Sequence, residues 1–148
     1  MNRVGLRHRE RGSVSIEAMF AIGFLLIPAA ALLAQLPGWV GTSHAAQVAA
    51  VEGARQVALA DSMADGLTRA QSVAADVIVN HGMDPADLLA VEVTADPPGE
   101  LQRGQLVTVT VTVRGSPILV PGIGSVGNPF DAIGAATERV DDYRSLSP

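Results

Sequence analysis

Apolar and polar positions alternate along this chain with periods that change five times. From Ala18 to Val40 no side chain ionises, and Gln35 is the main polar interruption in AMFAIGFLLIPAAALLAQLPGWV. As a helix rising about 1.5 Å per residue, the stretch reaches roughly 34 Å, enough to cross a hydrocarbon core of about 30 Å. The expectation is a membrane span. A buried core helix is the alternative, but a domain this small has too little material to wrap one. Pro28 removes a hydrogen bond inside the span, and Pro37-Gly38 is a second weak point where the helix would loosen on leaving the lipid.

Residues 42–60 read as further helix, with Thr42 or Ser43 available as a cap if the chain restarts after Gly41. Ala46, Ala50, Gly53, Val57 and Ala60 form one stripe of small side chains, suited either to a partner helix or to the protein's own sheet. Ser62 and Asp65 have the spacing of a capping box, which opens a second helix whose buried face is Met63, Leu67, Ala70, Ala74 and Val77. Gly82 is placed to stop it. His81 and Asp84 read as a surface turn rather than an acid–base pair, since no third polar group accompanies them and Asp84-Pro85 is turn chemistry.

The period then falls to two. Leu89, Val91, Val93 and Ala95 alternate with Leu88, Ala90, Glu92 and Thr94, and after a break at Asp96-Pro97-Pro98-Gly99 and at Gly104, Val107, Val109, Val111 and Val113 alternate with threonines. Two strands in an antiparallel hairpin follow, with the Val face on the helices. Residues 115–129 are rich in Gly and Pro yet apolar, without the Lys-Ser/Thr pair and helix of a phosphate loop. Such a loop could lie on lipid, meet a partner or cover a sheet edge; covering is the favoured expectation. A third strand is expected within Ile133–Tyr143. The fold class is therefore α+β: a transmembrane helix continuing into the domain, a second helix, and a small three-stranded antiparallel sheet. The chain divides into a basic leader (1–12), a transmembrane helix (13–40) and an exported domain (41–148).

Charge sharpens this picture. Arg3, Arg7, Arg9 and Arg11 against Glu10 give residues 1–12 a charge of +3, which leaves −8 for the rest of a chain whose total is −5. Retention of Arg in the cytoplasm puts the N-terminus inside and exports the acidic body, with Trp39 near the outer boundary. Beyond residue 12, six Arg among fourteen carboxylates cannot build a basic face, which argues against nucleic acid as a partner. The 148 residues hold one domain plus an anchor, and the absence of Cys removes thiolate nucleophiles, disulfides and Cys-type metal sites. Three scattered His, no nucleophile with paired carboxylates and no triad placed by spacing point away from an enzyme, a cofactor or a small-molecule substrate.

A basic start before an apolar run suits a removable signal, a permanent anchor or a pilin-type leader. Ser43-His44-Ala45 could precede a signal cut before Ala46. A pilin-type leader is cut before the apolar run, after Gly, with Glu at the fifth mature position. In Arg11-Gly12-Ser13-Val14-Ser15-Ile16-Glu17, Gly12 would end the leader, Ser13 would begin the mature chain and Glu17 would be the fifth residue. A carboxylate at the mouth of a span wants a cation, and cleavage would create one at the Ser13 amine of a neighbouring subunit.

The segment RGSVSIEAMFAIGFLLIP and the Ala-rich helix after it resemble the TadE-like pseudopilins of the tight-adherence pilus machinery. The likeness covers residues 11–80, and GAATERVDDYR resembles the family's closing strand. It implies a membrane-held minor assembly component. It further implies processing by a prepilin-type peptidase between Gly12 and Ser13, Glu17 as the assembly residue, and other pilins or pseudopilins and membrane lipid as partners. Ser13 stands where many major pilins carry Phe, and Ala18 where a Tyr often follows the Glu, which points away from a major fibre subunit. An uncleaved single-pass envelope protein with an external binding domain is the competing expectation.

Overall fold

The computed structural model describes residues 10–120, 122–128 and 130–142, with side chains from Ile16 onward. The first helix, α1, runs without interruption from Glu10 to Ala58, a rod of about 73 Å at the usual rise. It passes through Pro28, Pro37 and Gly41, so the chain does not restart after Gly41. Thr42 does not cap. Its hydroxyl donates back to the Gly38 carbonyl at 3.0 Å, as a mid-helix threonine does.

The second helix, α2 (Met63–Asn80), starts at Ser62, whose side chain accepts from the Asp65 N–H at 3.2 Å. The reciprocal arm of the box is displaced by one residue, because the Asp65 carboxylate accepts from Asp61 N–H. Its end follows the expected chemistry: Gly82 adopts φ +75°, Gly82 N–H reaches Val79 O, and Met83 N–H reaches Ile78 O, a Schellman arrangement. The buried face is Gly66, Ala70, Ala74 and Ile78, turned from the expected one; Met63, Leu67 and Val77 lie at its margin. Gly66 is the reason. A Cβ there would stand 3.1 Å from Val57 Cγ1, so the missing side chain lets α2 lie close against the end of α1.

A short 3₁₀ turn, Pro85–Asp87, leads into β1 (Leu88–Asp96). β2 (Leu106–Val113) pairs with it antiparallel, with Val91, Val93 and Ala95 opposite Val111, Val109 and Val107. A register shift between Leu88 and Ala90 changes the phase of the first residues, so Leu88 packs inward and Leu89 outward, the reverse of simple alternation. Gln105 is buried and ties down the preceding connection, accepting from Gln102 N–H at 2.8 Å and donating to Pro97 O.

After β2 the chain forms a separate two-stranded sheet, β3 (Ile118–Val120) with β4 (Gly124–Val126), and then β5 (Ala132–Arg139), which returns to pair with β2. The main sheet has the order β1-β2-β5, all antiparallel. Strand β5 answers the expected third strand; Tyr143 lies outside the described residues. The expectation that 115–129 covers a sheet edge is overturned, since this loop folds on itself and leans on α1.

The core lies between the helices and the Val face of the sheet. Val107, Val109, Val111 and Val113 are fully buried with Ala46, Ala50, Val57 and Ala60 from the α1 region. Gly53 faces Val109 and Ala70, and Gly134 of β5 abuts the Ala46 carbonyl. The small-residue stripe is thus consumed by the protein's own sheet and α2, the second of its two expected uses. The opposite sheet face carries Thr94, Thr108 and Thr137 in register, the latter two hydroxyls 2.7 Å apart.

Candidate functional site

Environment divides α1 in two. From Thr42 to Ala58 burial recurs at helical spacing, through Ala45, Ala46, Ala49, Ala50, Ala54 and Val57. From Ile16 to Gly41 it does not: only Gly23, Ala31, Gln35 and Trp39 are even half-buried, and Phe24 is 86% exposed. An 18-residue window here has a mean hydropathy of 2.2 and no buried residue. Twelve large apolar side chains between Ile16 and Val40 stand exposed. At about 1.5–3 kcal/mol each for removal from water, their transfer is worth on the order of 20 kcal/mol or more. That exceeds the roughly 5–15 kcal/mol by which a whole domain is stable. A helix apolar on every side belongs in an apolar solvent, and this one is long enough to cross a membrane.

Glu17 sits at the entry to this run and is exposed, with no ion-pair partner among the described residues. Helical spacing places Phe20, Phe24 and Ile27 along its face, and these line one shallow apolar surface with it. The backbone of Gly12 and Ser13 lies in the first turns of α1. The side chains before Ile16, and residues 1–9 with Arg3, Arg7 and Arg9, lie outside the described residues.

Sequence pattern marked Gln35 only as a polar break. In the structure its amide faces the backbone of β3. Its Oε1 accepts from Leu119 N–H at 2.7 Å, and its Nε2 donates to Leu119 O at 3.3 Å and to Ala31 O at 3.0 Å. The side chain thereby substitutes for a neighbouring strand. Two turns further along, Ser116 and Thr42 share a hydroxyl contact at 3.1 Å. Between α1 and β3 opens a groove of about 450 Å³, walled by Phe24, Ile27, Leu32, Ile118 and Val120. The signal that could have found this arrangement was present in the long uncharged stretch 115–130 with one amide on the helix, but their pairing spans 84 residues of sequence.

His81 and Asp84 are engaged in structure. His81 Nδ1 lies 2.8 Å from Val77 O, its ring meets that of His44 edge-on at 5.9 Å, and Asp84 caps the 3₁₀ turn through Ala86 N–H at 2.8 Å. Among the described residues no group of three or more His, Asp or Glu could hold a metal ion. Trp39 Nε1 is the buried side-chain donor without a partner among them. No family model, no curated protein and no solved structure matches this chain.

Proposed function

We propose that the chain is a TadE-like pseudopilin, a minor structural and assembly component of a tight-adherence pilus or related secretion apparatus. In this reading a prepilin-type peptidase cuts between Gly12 and Ser13, residues 18–40 hold the product in the cell membrane, and the domain of residues 41–148 projects outside. Glu17 then sets register by pairing with the Ser13 amine of an adjacent pilin or pseudopilin. The chain is a peptidase substrate, not a catalyst. The observation that carries the proposal is the single carboxylate, Glu17, at the mouth of an all-round exposed apolar helix, five positions after a glycine. In lipid such a group is costly without a cation, and a new terminal ammonium is the one that cleavage supplies.

N-terminal sequencing of the protein from its native host tests this directly. Ser13 as first residue is expected. Met1 would instead select an uncleaved single-pass envelope protein with an external binding domain. Ala46 would mean a secreted protein and end both readings. Incorporation of Glu17→Gln into the envelope assembly at the wild-type level would remove the role given to Glu17.

A further inference from the structure

We infer that the β3–β4 hairpin is a lipid wedge: it enters the outer face of the bilayer beside α1, and its partner is the headgroup–acyl boundary. This rests on α1 being a span, as read above.

Polar punctuation of α1 sets the depth. Glu17 and Gln35 bracket the uncharged run and stand about 27 Å apart along a straight helix, close to the roughly 30 Å of a hydrocarbon core. Gln35 therefore marks the outer edge of the hydrocarbon, and Trp39, one turn beyond, sits at headgroup level.

The hairpin descends from that edge. Ser116 touches Thr42 and Leu119 touches Gln35. Seven helical residues on one side span about 10 Å, and three extended residues on the other span about 10 Å. β3 thus runs down α1 at full extension toward the membrane centre, and since Val120 already pairs with Gly124 the turn at Gly122–Ile123 lies roughly 5–8 Å further in, within the depth at which interfacial elements settle.

Chemistry agrees with placement. In an acidic domain, Gly115–Phe130 carry no charge, and the charges resume on both sides at Arg114 and Asp131. Ile123 at the tip is 77% exposed, and Leu119, Val126 and Phe130 are likewise exposed. These side chains present most of their apolar surface outward and stand beside a helix that needs lipid. Gln35 matters because an unpaired strand edge is intolerable in hydrocarbon, and it takes both main-chain groups of Leu119 on the side facing α1. β4 has a strand partner on one side only, so its outer amides need headgroups or water, which holds the hairpin at the boundary rather than the centre.

The chain has no cysteine, so a single introduced thiol reports one position. Full-length Ile123→Cys, labelled with an environment-sensitive fluorophore, would be reconstituted into phosphatidylcholine–phosphatidylglycerol vesicles beside Leu26→Cys in the span and Gln71→Cys on the exposed side of α2. Quenching by aqueous iodide is compared with quenching by spin label held near the acyl-chain tops. The expected result is several-fold weaker iodide quenching at Ile123 than at Gln71, with strong quenching by the shallow spin label. If Ile123 behaves like Gln71 while Leu26 stays protected, the wedge is refuted and the span stands. If Leu26 also behaves like Gln71, the span reading fails, and the wedge with it. Shielding of Ile123 from a membrane-impermeant maleimide in native membranes, but not in the vesicles, would assign the hairpin to a protein partner and overturn the lipid inference.

Discussion

Replacing Gly134 by Ala puts a methyl group where the backbone of α1 already stands. An ideal Cβ at this position would lie 2.2 Å from Ala46 O, 2.3 Å from Ala46 C and 2.5 Å from Gln47 N, each about 1 Å short of ordinary contact. None of the three is a side chain that can rotate away. Gln47 also holds the strand from α1, donating to Ala135 O at 3.0 Å, so separating helix and strand would lengthen that bond as well. Overpacking ordinarily costs about 1–3 kcal/mol, and rigid backbone on both sides puts this case near the top, about 3 kcal/mol. For a domain of this size that lowers the melting temperature by roughly 12–24 °C. On an open strand the same change would act in the opposite sense, since Gly is worse than Ala by about 0.5–1 kcal/mol through backbone entropy. Thermal melts of the detergent-solubilised full chain, followed by circular dichroism at strand and helix wavelengths, separate the two signs. Ala135→Val, outward-facing on the same strand, is the control and should melt with the wild type. A Gly134→Ala variant melting within about 2 °C of wild type, a shift worth under 1 kcal/mol, would refute the packing of β5 on α1 at Ala46.

Val109 is fully buried in the central strand, so Val109→Ala should cost about 2 kcal/mol through lost burial and residual cavity, read as a lower urea midpoint with unchanged slope. Ser62→Ala removes the acceptor for Asp65 N–H and should cost about 1 kcal/mol, seen as faster amide exchange in the first turn of α2. Leu26→Arg, central in the exposed apolar run, should raise the apparent insertion free energy by about 3 kcal/mol or more, so that a glycosylation-based insertion assay scores far fewer spanning molecules. Unchanged insertion would argue that this helix is not a span.

Features written within a few residues of one another were legible in the chain. The uncharged 18–40 run, the Ser62 cap, the Gly82 stop and the Val–Thr alternation of β2 each depend on a local period or a local hydrogen bond, and the structure contains all of them. The same holds for the candidate site, where Gly12, Ser13 and Glu17 form a spacing and nothing more. Errors arose where a packing neighbour on another element decided the outcome. The buried face of α2 turned toward Gly66 because Val57 and Ala60 press there, a contact that hydropathy assigns to no glycine. Leu88 and Leu89 exchanged sides because β2 imposed a register shift on β1.

What the sequence determined alone is therefore a long apolar helix behind a basic start, a second helix and a short antiparallel sheet, since hydrophobic period and capping chemistry act over a turn or a strand. Only the tertiary structure decided that α1 continues unbroken through Gly41, that its small-residue stripe is spent on the protein's own sheet, and that residues 118–126 pair with themselves against Gln35. Those outcomes depend on which surfaces meet once the chain has closed loops of up to 88 residues, and no local period encodes that meeting.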